Sequence, residues 1–205
     1  MPAPLTPATL VPAPPILAPL ILASASPRRL ALLAQIGITP GSVHATAIDE
    51  AWQPDEPPRI YAARMAREKA LAAAAAGSFT LAADTVVALG RRILPKADGP
   101  DEVRACLGRL SGRRHHVLTA VALVAPDGRM TARLVDSVVG FARLTTAQVD
   151  WYAKLGEGEG KAGGYAIQGH AAAFVRFLGG SYTGVVGLPL FETAQLLRGQ
   201  GWLVP

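Results

Sequence analysis

Cysteine is almost absent from this 205-residue chain: Cys106 stands alone. A lone cysteine excludes an internal disulfide framework and a Cys-rich zinc site, and it fits a reducing cytoplasm. Aromatic residues are scarce, at 6%, which gives poor support to a stacking platform for single-stranded nucleic acid. Charged residues reach only 17%, below the usual quarter or so. Since half of the residues are apolar, a mainly disordered chain is nevertheless excluded. No apolar run reaches the roughly 18–20 uninterrupted residues of a membrane span. The apolar segment 2–22 is broken by prolines at 2, 4, 7, 12, 14, 15 and 19, and the first basic residue is Arg28. A secretory signal is therefore not expected. Residues 1–19 read as a Pro/Ala-rich extended or disordered arm, either a bare extension or a docking arm for a partner. Residues 20–205 read as a single domain, large enough to bury a core without disulfides or metal.

What is present is positive charge. Twenty Lys and Arg against fifteen Asp and Glu leave a net +5. That balance invites a polyanion: nucleic acid, a membrane surface or a phosphorylated small molecule.

Periodicity predicts alternating helices and strands. Leu20 to Ala23 is a short buried strand. Ser26 and Pro27 open a helix that Gly37 stops. Pro57 and Pro58 open a helix to about Ala76, with Ile60, Ala63, Ala66, Ala70, Leu71 and Ala74 on one face. Phe79–Asp84 and Thr85–Leu89 read as strand, Gly90 as a turn, and Arg92–Leu94 as a return strand. Pro100–Leu110 is helical, with Asp101 and Glu102 favourably placed in its first turn. His116–Ala125 and Met130–Ala142 are strands joined by an Asp127-Gly128 hairpin. A helix capped by Thr145 or Thr146 runs to Leu155, and a Gly-rich loop follows to Gly164. Tyr165–Ile167 and Ala173–Leu178 are predicted strands, and Pro189–Leu197 is the last helix. The class is α/β with a mixed sheet. Gly158, Gly160 and Gly163 match G-x-G-x-x-G but follow a helix, so the dinucleotide-binding context fails. His115 and His116, adjacent on a strand, point to opposite faces and cannot chelate one metal.

Four places carry candidate chemistry. In Ala23-Ser24-Ala25-Ser26-Pro27-Arg28-Arg29 a strand ends, hydroxyls follow, and two arginines enter a helix start that their charge disfavours. Free N–H groups, hydroxyls and guanidinium forks suit phosphate; a solvated helix start is the alternative. Asp84 follows Leu81-Ala82-Ala83, where an acid is costly unless it caps a turn, is paired or holds a cation. Asp49 and Glu50 lie in a loop, as magnesium acids do when substrate phosphates complete the shell. Lys69 and Lys96 are two of only four lysines beside sixteen arginines, which hints at point-charge phosphate contacts. Gln168, next to Gly169, either offers an amide edge to a base or sits in a turn. Together they suit phosphate-ester or nucleotide hydrolysis without naming the bond cleaved.

In order and spacing, LILASASPRRLALLAQIGI, AREKA, LAADTVVALGRRIL, LSGRRHHVLTAVAL, GKAGGYAIQG and VVGLPLFETAQLL resemble the Maf family of nucleoside triphosphate pyrophosphatases. The resemblance covers residues 20–197. It implies an elongated α/β fold akin to the inosine triphosphate pyrophosphatases, with a substrate cleft beside the sheet. It implies cleavage of a nucleoside triphosphate to monophosphate and pyrophosphate with Mg²⁺ or Mn²⁺, by a cytoplasmic homodimer. By motif, Asp84 resembles the proton acceptor or metal-bound acid and Glu50 a second metal acid. Ser24, Arg28, Arg29, Lys69 and Lys96 resemble phosphate contacts. Arg28, Thr85 and Gln168 are similar to the dTTP/UTP branch; the 7-methyl-GTP branch typically has Trp, Gln and Glu there. The chain departs from the family pattern at Pro95-Lys96-Ala97, where Gly or Glu, Lys and Pro are usual. It departs again at Gly158 and Gly160, which replace a common Pro and Asp, so a looser loop is expected. A nucleic-acid-binding or regulatory module is the rival reading of the basic charge.

Overall fold

A computed structural model describes residues 18–202; most of the expected 1–19 arm lies outside the described residues. In chain order the elements are β1 (Leu20–Ala23), α1 (Pro27–Gln35), β2 (Ser42–Val43), α2 (Pro58–Ala72), β3 (Phe79–Leu89), β4 (Arg92–Leu94) and α3 (Pro100–Leu110). There follow β5 (Arg114–Val124), β6 (Met130–Phe141), α4 (Thr146–Lys154), a 3-10 turn at His170–Phe174, β7 (Val175–Gly179), α5 (Tyr182–Val186) and α6 (Leu190–Gly199). The strands form one sheet in the order β2-β1-β3-β5-β6-β7, with β4 paired to β3 off that path. β1 is parallel to β2 and β3, and every other pairing is antiparallel. The sheet is thus mixed and flanked by helices, as expected.

Alternation along β3 and β5 sorts the core onto two faces. Ala82, Val86, Ala88, Leu118, Ala120, Ala122 and Val124 pack with Ala62, Ala66 and Ala70 of α2. Alanine on both sides lets helix and sheet approach closely. On the other face Leu81, Ala83, Val121 and Leu123 meet Leu32 and Leu33 of α1 and Leu196 and Leu197 of α6. Farther along that face Val87 and Val117 join residues of α3 and α4 around Phe141 and Tyr152. Each fully buried leucine contributes about 1.5–3 kcal/mol.

Several expectations are corrected. α2 ends at Ala72, and its inward face is Ala62, Met65, Ala66, Lys69 and Ala70, while Ile60 and Leu71 are exposed. The helix is rotated from the stripe that hydropathy picks out because the sheet offers it small alanines and, at Asp84, a charge for Lys69. Ser26 occupies the N-cap of α1 but makes no capping bond; the Ser24 hydroxyl accepts from the Ser26 N–H instead. Tyr165–Ile167 is not a strand, and the 3-10 turn occupies the beginning of the expected strand at 173. β2 and α5, of two and five residues, are too short for a periodic pattern to reveal. The Asp127-Gly128 hairpin forms as expected, and of the two threonines it is Thr145 that caps α4, in a capping box with Gln148.

β3 is covered unevenly. β1 pairs with Phe79–Ala82, and β4 pairs on the same side with Val87–Leu89. Neither strand covers residues 83–86 on that side, and this interruption opens the sheet beside Asp84 and Thr85.

His115 and His116 point to opposite faces. His116 Nδ1 meets Asp136 Oδ1 at 2.7 Å on the surface. His115 is buried, its Nε2 2.8 Å from the Tyr165 hydroxyl and its ring edge-on to Phe141 and Tyr165. Burial, with a smaller push from His116, lowers its pKa from 6.5 to about 4. The unfolded chain then binds a proton between those values that the folded chain refuses, so stability is lost as pH falls from 6.5 toward 4. Urea unfolding should show wild type losing about 2 kcal/mol more than His115→Gln between about pH 7 and pH 4.5. Equal losses would remove His115 as the cause.

Candidate active site

The gap between β1 and β4 along β3 opens into a cavity of about 390 Å³. Nine of the residues singled out in the sequence border it: Ser24, Arg28, Arg29, Glu50, Lys69, Asp84, Thr85, Lys96 and Gln168. β1 delivers Ser24 from its C-terminal end, and α1 brings Arg28 and Arg29 in its first turn. β3 supplies Asp84 on the α2 face and Thr85 on the opposite face. Lys69 enters from the buried side of α2, and Gln168 comes from the turn before the 3-10 element.

Charge organises the interior. Lys69, only 7% exposed, lies under Asp84, 4% exposed. Its ammonium donates to Asp84 Oδ1 at 2.7 Å and contacts Glu50 Oε1 at 2.8 Å. Lys96 Nζ donates to the other Glu50 oxygen, Oε2, at 2.9 Å. Partial burial pushes the Glu50 carboxyl up, but the two lysines outweigh it and hold its pKa down at about 2. Glu50 is therefore ionised at any working pH. Burying a charge costs several kcal/mol unless it is paired, and here Lys69, Asp84 and Glu50 each have an opposite charge within hydrogen-bond reach.

Arg29 is built into the wall. Its Nε donates to the Gly187 carbonyl at 2.8 Å, Nη1 to the Ser24 hydroxyl at 3.0 Å, and Nη2 reaches the Thr85 hydroxyl at 3.5 Å. Burial lowers its pKa, partly countered by Asp84 and reinforced by Arg28. Thr119 on β5 donates to the Gly184 carbonyl at 2.7 Å, and its hydroxyl lies 3.2 Å from that of Thr85, bracing Thr85 from behind.

The loop bearing Glu50 has no regular structure, yet side chains of α2 hold it. The Tyr61 hydroxyl donates to the Glu50 carbonyl at 2.8 Å. Arg64 donates to the Ala51 carbonyl and forks onto both oxygens of Glu56 at 2.8 Å. Asp49, the other acid of that loop, accepts from the Ala51 N–H and does not line the cavity.

Opposite lies the Gly-rich loop, where sequence reasoning overlooked Lys161. It borders the same cavity and is one of the four lysines; the scarcity that singled out Lys69 and Lys96 applied to it equally. The loop is laced to the Lys96 segment: Gly160 N–H donates to the Ala97 carbonyl, Ala97 N–H to the Lys161 carbonyl, and Gly163 N–H to the Pro95 carbonyl. Two glycines are sterically required. A Cβ at Gly158 would lie 2.2 Å from the Gly164 carbonyl oxygen, and one at Gly163, where φ is +69°, would meet Val87 at 2.8 Å.

Glu50 and Asp84 are hard oxygen donors gathered around one positive charge, the Lys69 ammonium, which fits a divalent cation such as Mg²⁺. Among the described residues no cluster of three or more His, Cys, Asp or Glu exists. A cation here would take these two carboxylates and fill its shell with phosphate oxygens and water. The remaining cations suit a polyphosphate.

Comparison with known proteins agrees with this chemistry. The profile of the family described as Maf-like protein matches residues 19–200. The dTTP/UTP pyrophosphatase of Caulobacter vibrioides is 59% identical over 182 residues, 88% of this chain and 94% of that protein. The protein of the same name from Rhodospirillum rubrum is 57% identical over 182 residues, 88% of this chain and 87% of that one. Among solved structures, a nucleoside-triphosphatase / dITP/XTP pyrophosphatase from Mycobacterium abscessus aligns with a TM-score of 0.42 at 20% identity, over 88% of this chain and 94% of that one. With a family profile matched from one end of the sheet to the last helix, the chain belongs to the Maf-like protein family.

Proposed function

We propose that this protein hydrolyses dTTP and UTP to the monophosphate and pyrophosphate. The observation that carries the reading is the convergence of Asp84, Glu50 and five cationic side chains on one cavity, with an amide, Gln168, at its rim. The two relatives named dTTP/UTP pyrophosphatase support the choice of substrate. No helix among the described residues is long and apolar enough to cross a membrane. The same reading takes the enzyme as a cytoplasmic homodimer, on the family resemblance and a single cysteine that is buried.

Water attacks the α-phosphorus, the bond from that phosphorus to the bridging oxygen breaks, and pyrophosphate leaves. Lys69 holds Oδ1 of Asp84, leaving Oδ2 to accept the proton of the attacking water. Mg²⁺ or Mn²⁺, held by Glu50 and Asp84, would neutralise phosphate charge and orient the triphosphate when bound. The basic side chains stabilise charge on the departing pyrophosphate. Arg29 keeps Ser24 and Thr85 in place through its hydrogen bonds. Gln168 matches a pyrimidine edge: its carbonyl accepts the ring N–H and its amide donates to the adjacent carbonyl.

Two measurements test the reading. Asp84→Asn should lower pyrophosphate release from dTTP by roughly 10²–10⁴-fold. The fold should survive, because the amide oxygen still accepts from Lys69 and Glu50 still neutralises it. Full activity in that variant removes Asp84 from the mechanism. A panel of triphosphates should show dTTP and UTP turned over best, with Gln168→Glu lowering kcat/KM for dTTP by roughly tenfold through loss of one donor. Preference for 7-methyl-GTP in the wild type would move the enzyme to the other branch. Failure to cleave any triphosphate, beside salt-dependent nucleic-acid binding, would favour the rival module.

A further inference from the structure

Five cations border the cavity, and three are already engaged. Arg29 holds Ser24, Thr85 and Gly187; Lys69 bridges Asp84 and Glu50; Lys96 holds Glu50. Arg28 and Lys161 differ. No hydrogen bond or ion pair engages the Arg28 side chain among the described residues, and the Lys161 ammonium makes one long contact, 3.3 Å to the Glu159 carbonyl. Neither acid of the loop forms an ion pair with Lys161, and Glu157 is turned elsewhere: both its oxygens accept from the His170 N–H, and Oε1 also meets the His170 ring. Lys161 is partly buried, and desolvation lowers its pKa, with Arg28 adding to the effect and Glu157 and Glu159 opposing it. Two positive charges without an ion-pair partner thus repel within one cavity, an excess that a polyanion relieves.

Lys161 is also held in place. Its carbonyl accepts from Ala97 at 3.2 Å, its neighbour Gly160 donates to Ala97 at 2.8 Å, and Ala162 forms a β-bridge with Lys96. A backbone fixed before the ligand arrives loses less entropy on binding, so the contact adds more affinity.

We propose that Lys161, acting with Arg28, binds the polyphosphate of the nucleotide and supplies a share of triphosphate affinity that Lys69 and Lys96, committed to the acids, do not. This rests on the triphosphate-hydrolysis reading. Calorimetric binding of a non-hydrolysable α,β-imido dTTP analogue and of dTMP, with Mg²⁺ present, tests it on wild type, Lys161→Met and Lys161→Arg. Methionine keeps the apolar stem, so the loop stays packed, and a thermal melt monitors the fold. The methionine variant should lose roughly ten- to hundredfold in affinity for the triphosphate analogue, with a smaller loss for dTMP. Arginine should restore most of the loss, and KM for dTTP should rise in parallel. Unchanged affinity for the analogue, or equal losses for analogue and dTMP, overturns the role of Lys161. Those outcomes in an enzyme that still cleaves dTTP leave the proposed function standing; a wild type that cleaves no triphosphate overturns both.

Discussion

The site depends on a strand that outruns its neighbours. β3 has eleven residues, whereas β1 covers only its first four and β4 its last three on the same side. Between them the backbone of residues 83–86 faces an opening instead of a strand. The opening lies just past the C-terminal end of a parallel strand, where chains of α/β sheets turn away and leave a crevice. β1 ends at Ala23, and the hydroxyl and guanidinium groups that follow at once take up the adjoining space.

A constraint of charge follows from that geometry. Alternation places Asp84 on the face covered by α2, among alanines that offer it no polar partner. Lys69, rising from α2 one residue before the buried Ala70, answers it. Glu50 completes the set from a loop that Tyr61 and Arg64 hold by its backbone. Helix packing, acid placement and loop anchoring are therefore coupled through α2. A shift of that helix would disturb Lys69, Tyr61 and Arg64 together.

Much of this was legible in the sequence because it depends on local order. The apolar run ending at Asp84, the prolines that begin helices, the Asp127-Gly128 hairpin and the scarcity of lysine each leave a mark along the chain. The charged residues of the cleft could be named one by one, yet their pairing could not, since Lys69 and Asp84 are fifteen positions apart and Lys96 and Glu50 forty-six. The face of α2 was misjudged for a related reason. Hydropathy ranks Ile60 and Leu71 above alanine, whereas the partner surface selects for small volume and for one buried ammonium. β2 and α5 fall below the length at which a period can be recognised. Lys161 escaped because glycines surround it, and such a loop reads first as a turn.

Those glycines stand across from the first departure from the family pattern, at Pro95-Lys96-Ala97. A proline at position 97 would have no N–H. Alanine has one, and it donates to the Lys161 carbonyl at 3.2 Å. Gly158 and Gly160 add conformational freedom to the loop, and this bond, with the two from Gly160 and Gly163, takes some of it away. The segments carrying Lys96 and Lys161 are thus stitched into a miniature ribbon. The spacing of the two lysines is therefore set by backbone hydrogen bonds, and the wall that carries them is one piece.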